Sequence, residues 1–84
     1  MKTPVYLKRN TTIGRTYIVK ITEESVLTVT EDKIELEDLC DDCIEKEIGW
    51  YKTTESFMLV DATRQDFDEA YIKVVALFNE ASKI

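Results

Sequence analysis

Eighty-four residues with 44% hydrophobic content are too apolar for wholesale disorder and too few for more than one small domain, which buries only about 60–65% of the surface its unfolded chain exposes. A net charge of −6 with no histidine removes the usual neutral-pH general base, and two glycines cannot build a phosphate-cradling loop. No long apolar run occurs, and the opening Met1-Lys2-Thr3-Pro4 lacks a signal peptide's apolar segment, so a cytoplasmic protein without a membrane partner is expected.

Along the chain, Val5-Tyr6-Leu7-Lys8-Arg9 alternates in polarity and predicts a first strand, with Pro4 at its start and residues 10–14 as its turn. Residues 16–22 and 25–30 are rich in β-branched and aromatic side chains around Glu23-Glu24, which predicts a hairpin. Ile34-Glu35-Leu36 alternates briefly. From there Leu36, Leu39, Cys40, Cys43, Ile44 and Ile48 recur at three- and four-residue steps, the stripe of an amphipathic helix over about 37–48 that Gly49 would stop.

Residues 50–52 and 56–61 flank the polar Thr53-Thr54-Glu55 and predict a second hairpin. Phe67, Ala70, Tyr71, Val74, Leu77, Phe78 and Ala81 then mark one face of a helix over about 64–82, with Thr63 and Asp66 as capping partners. The expected fold is α+β: a small, mainly antiparallel sheet of about four to five strands with two helices packed on one face, in one domain over 1–84.

Charge is distributed in blocks. Residues 1–22 carry five bases and no acid, whereas residues 23–47 carry eleven acids against Lys33 and Lys46. Such asymmetry speaks to partners more than to fold. On the helix expected over 37–48, Asp38, Asp41, Asp42 and Glu45 share one face, opposite Leu39, Cys40, Cys43 and Ile44. A stripe of like charges costs on the order of 1 kcal/mol, where folding alone would be better served by interleaved signs.

The pair Cys40 and Cys43 lacks the four ligands of a structural zinc site, and the surrounding acids oppose the thiolate that redox chemistry needs. These residues favour two buried thiols packed as small hydrophobes. Asp61, Asp66 and Asp68 read as a helix-start charge cluster and not as a calcium loop. With no catalytic signature in the chain, neither an enzyme nor a cofactor is expected.

In its length and its carboxylate-dense segment 23–47, the chain resembles small acidic phage-encoded proteins that mimic DNA and block host nucleic-acid-binding proteins. The resemblance implies an inhibitor, working as a dimer, whose partner is a basic DNA-binding protein of a host cell. Glu31, Glu35, Glu37, Asp38, Asp41, Asp42 and Glu45 would supply the contacts. Net negative charge disfavours direct binding of nucleic acid. Two other readings use different residues: a nucleic-acid-binding module on Lys8, Arg9, Arg15 and Lys20 with Tyr6 and Tyr17, and a regulatory dimer bridged by a metal on Cys40 and Cys43.

Overall fold

The computed structural model describes residues 3–9, 15–40, 43–55 and 57–81. Strands β1 (Val5–Lys8), β2 (Tyr17–Ile21), β3 (Ser25–Thr30) and β4 (Ile34–Asp38) come first. Helix α1 (Ile44–Thr53), the two-residue β5 (Val60–Asp61) and helix α2 (Arg64–Ala81) follow. The sheet has the order β4-β3-β2-β1-β5, and every neighbouring pair is antiparallel. The expected α+β class, with a five-stranded antiparallel sheet and two helices, is what the chain adopts.

Short connections link β2 to β3 and β3 to β4, while the turn expected at residues 10–14 lies outside the described residues. In the β2–β3 turn the Thr22 N–H donates to the Ser25 carbonyl at 2.9 Å, while the Thr22 hydroxyl oxygen accepts from the Ser25 N–H at 3.1 Å. A threonine hydroxyl taking up a free turn N–H is the local chemistry that favours Ser and Thr there. The β3–β4 turn closes through the Thr30 N–H and the Lys33 carbonyl at 3.0 Å.

Strand periodicity divides the apolar residues between the two sides of the sheet. Leu7, Val19, Ile21 and Val26 form one cluster with Tyr51 and Leu59, and Ile44 and Ile48 of α1 pack against it. Ile18 and Val29, which alternate with that set, form another cluster with Phe67 and Val74 of α2. Thus α1 covers one side and α2 the other, where both helices were expected on one face, because the strands carry apolar residues on both of their alternating sides. Beyond that stripe α2 leaves Ile72, Leu77 and Phe78 exposed.

The final helix matches its expected bounds. Its start is a reciprocal cap in which the Thr63 N–H donates to Asp66 Oδ2 at 3.0 Å and the Asp66 N–H donates to Thr63 Oγ1 at 3.1 Å. The other expected helix is displaced. Residues 34–38 are strand, and α1 begins at Ile44 and runs through Gly49 to Thr53. Pairing with β3 decides this: Glu37 stands opposite Val26, Leu36 opposite Leu27 and Ile34 opposite Val29, and the Leu39 N–H extends the contact to the Glu24 carbonyl at 2.8 Å.

The expected second hairpin is also absent among the described residues. Trp50, Tyr51 and Lys52 belong to α1, and only Val60 and Asp61 form strand, against β1. The link between α1 and β5 passes through Met58 at φ 44°, a left-handed conformation that a side chain disfavours.

Candidate partner-binding site

The residues expected to form an acidic ridge are split among three local structures. Glu31 lies in the β3–β4 turn, where its Oε1 accepts from the Thr16 N–H at 3.4 Å. Glu35 and Glu37 are on β4 and point to the side that α1 covers, being cross-strand from Thr28 and Val26. Asp38, opposite Ser25, points to the other side. Glu45 sits in the first turn of α1. Asp41 and Asp42 lie outside the described residues.

The single helical face of Asp38, Asp41, Asp42 and Glu45 is therefore overturned, because Asp38 is in a strand and α1 starts after all three aspartates. What replaces it is an acidic edge. Strand β4 is the sheet's terminal strand, paired only with β3, and Glu35, Leu36, Glu37 and Asp38 are all exposed. Glu45 and Glu47, at the start of α1, continue the run. Acids are favourable there, near the positive end of the helix dipole.

The bases of the opening strands do not neutralise this edge one by one. Among the described residues the ion pairs are Lys8–Asp66, Lys52–Asp61 and Arg64–Asp68, none of which uses an acid of residues 23–47. The edge is nonetheless uneven. Arg9, Arg15 and Lys33 line a cleft of about 390 Å³ together with Glu31, Asp32 and Glu35, so the field there is mixed. Farther along, Lys46 lines a cleft together with Glu37 and Glu47.

Charge density measures what such an edge can imitate. Five strand residues span about 13 Å. Over that length one strand of DNA carries about four phosphates and a duplex about eight. With Glu35, Glu37 and Asp38, β4 approaches the single strand and falls well short of the duplex.

The cysteines are not the buried thiols expected. Cys40 and Cys43 are joined in a disulfide, Cys40 is exposed, and Cys43 takes the N-cap position of α1. The Cys43 N–H also donates to the Cys40 carbonyl at 3.0 Å. Bonded to each other, the sulfurs offer no thiolate to a bridging metal. Among the described residues no three His, Cys, Asp or Glu side chains converge as a metal site would require.

A second feature is aromatic. On the α1 side of the sheet, a cleft of about 450 Å³ is lined by Tyr17, Glu37, Lys46, Glu47, Trp50, Tyr51 and Phe57. Its rings pack on one another: Trp50 lies 5.0 Å from Tyr51 and 4.9 Å from Phe57, centre to centre, and Phe57 lies 5.4 Å from Tyr17. Burial pushes both the Tyr17 and Tyr51 phenols up from the ordinary value of 10.0. The nearby Glu37 carboxylate adds to both effects and Glu47 adds to that on Tyr51, which marks these acids as neighbours of the rings.

The signal that could have found this cleft was the i, i+3 spacing of Glu47 and Trp50, which puts acid and indole on one helix face. Reading Trp50-Tyr51-Lys52 as strand concealed it.

Comparison with protein-family models, with curated proteins and with solved structures finds no match. No described helix is long and apolar enough to cross a membrane.

Proposed function

We propose that the protein acts by binding, without a cofactor and without catalysis, and sets its acidic edge against the basic nucleic-acid-binding surface of a DNA-binding protein. In this reading it is an inhibitor that takes the place of DNA. The observation that carries the proposal is the run Glu35, Glu37, Asp38, Glu45 and Glu47, exposed or half-buried on the sheet's terminal strand and the adjoining helix start, with no ion pair to a lysine or arginine among the described residues. Carboxylates left in water keep their long-range field, which steers a basic partner and speeds association.

Charged residues on a terminal strand also prevent sheets from joining edge to edge. That role requires no partner, and experiment separates the two. The immobilised protein is exposed to cell lysate at low and high salt, and recovered DNA-binding proteins are tested by gel shift with and without it. Release of DNA on its addition, weakening steeply as salt rises, is the expected result. A mobility shift of DNA by this protein alone would overturn the reading, as would recovered proteins that keep their DNA in its presence.

A further inference from the structure

We propose that the cleft between β4 and α1 is a binding site for a guanidinium, the side chain of an arginine in an extended basic segment of a partner protein. The cleft shares Glu37 with the acidic edge, but it does not require the partner to bind DNA.

Three features of the cleft select this chemistry. The first is an aromatic surface kept in water: Trp50 touches Tyr51 and Phe57 yet remains 48% exposed. Rings already fixed by their neighbours lose little further freedom when a ligand covers them. The second is charge. Glu37 and Glu47 line the same cleft, so an anion is repelled and a neutral apolar ligand would strip water from two carboxylates without compensation. A cation satisfies both, since the faces of aromatic rings are themselves negative.

The third is shape. About 450 Å³ is ample for one side chain with accompanying water and far more than a bare metal ion needs. Among biological cations the guanidinium is planar, so it can stack on the indole while its fork of donors reaches a carboxylate. The fold already makes such a contact at the cleft's margin, where the Arg9 guanidinium lies over the ring of Tyr17, itself a lining residue, at 5.6 Å from its centre, so the ring open to a further guanidinium is the exposed Trp50. Lys46 also lines the cleft and opposes a cationic ligand. Its removal is therefore expected to strengthen binding, a direction that a merely structural cleft would not produce.

Trp50 is the chain's one tryptophan, so indole fluorescence reports on this cleft alone. The probe is a blocked pentapeptide with a central arginine and neutral flanks, compared with the same peptide carrying lysine or the uncharged isostere citrulline. A saturable change with the arginine peptide is expected, with lysine binding about 3- to 10-fold more weakly and citrulline weaker still. Glu37→Gln and Glu47→Gln should each weaken arginine binding about 3- to 10-fold. Lys46→Ala should tighten it, and Glu31→Gln, outside the cleft, should leave it unchanged. Circular dichroism confirms that each variant is folded.

Equal binding of arginine and citrulline peptides overturns the proposal, as does an equal loss in Glu31→Gln, or no saturable change up to about 50 mM peptide. Arginine selectivity without release of DNA from any partner leaves the cleft standing and removes the DNA-mimic reading. Release of DNA without arginine selectivity does the reverse.

Discussion

Lys8 of β1 and Asp66 of α2, 58 residues apart, meet at 3.3 Å on the α2 side of the sheet. Asp66 serves twice, since the same carboxylate caps the helix through the Thr63 N–H. That backbone hydrogen bond is the main reason its carboxyl is held below the ordinary 3.8, with Lys8 adding to it. A depressed carboxyl contributes stability that is present above its unfolded pKa and lost as pH falls through the folded one. Asp66→Asn should therefore lower the thermal midpoint at pH 7 and lose most of that difference well below pH 3.8. Thr63→Ala, which removes the reciprocal bond, should cost about 1 kcal/mol by denaturant titration. If Asp66→Asn shows the same deficit at pH 2 as at pH 7, the carboxylate is not the source of the effect.

Tyr51 sets the alkaline limit. Burial, reinforced by the neighbouring Tyr17 phenol and the carboxylates of Glu47 and Glu37, raises its pKa above the ordinary 10.0. A group raised on folding supports the native state below its unfolded pKa, and the support is lost as pH rises through the folded value. Stability should thus be flat up to about pH 10 and fall above it. Tyr17, raised in the same direction, contributes to that fall. Tyr51→Phe should shift the onset upward or shallow the slope, as read by urea midpoints between pH 9 and 11. An unchanged profile would mean that Tyr51 ionises as freely folded as unfolded.

The Cys40–Cys43 bond closes a loop of only four residues, and short loops restrict the unfolded chain least. Reduction should cost no more than about 2 kcal/mol and leave the sheet intact, as measured by denaturant midpoints with and without dithiothreitol. Before reductant is added, a thiol-reactive dye should find no free sulfhydryl. Stoichiometric labelling of the untreated native protein would contradict the bonded pair.

Met58 is exposed and sits at φ 44°, so its backbone carries a cost that its side chain recovers little of by packing. Met58→Gly and Met58→Asn should be neutral or stabilising by up to about 1 kcal/mol, whereas Met58→Val should destabilise by at least that much. Thermal midpoints that rank Val above Gly would show that the left-handed turn is not what this position requires.

Local information was enough for several elements. The hairpin of β2 and β3 was legible because Tyr17, Ile18, Val19 and Ile21 favour strand whichever face they occupy, and Glu23-Glu24 interrupts them. Helix α2 was legible because its apolar residues recur at helical steps over five turns and its cap lies within four residues, at Thr63 and Asp66. The concentration of acids in residues 23–47 was likewise written in composition.

The chain alone determined the α+β class, its best hairpin, its last helix and the sign of its field, because each depends on neighbours within a few residues. Only the tertiary structure decided where the carboxylates point. Leu36, Leu39, Ile44 and Ile48 have helical spacing, but the open edge of β3 offered residues 34–38 a complete hydrogen-bond ladder, and a strand sends alternate side chains to opposite sides. The same pairing moved α1 along to residues 44–53 and carried Trp50 beside Glu37, thirteen residues away. Contacts of that range are chosen by which surfaces can be buried together, and no local period encodes the choice.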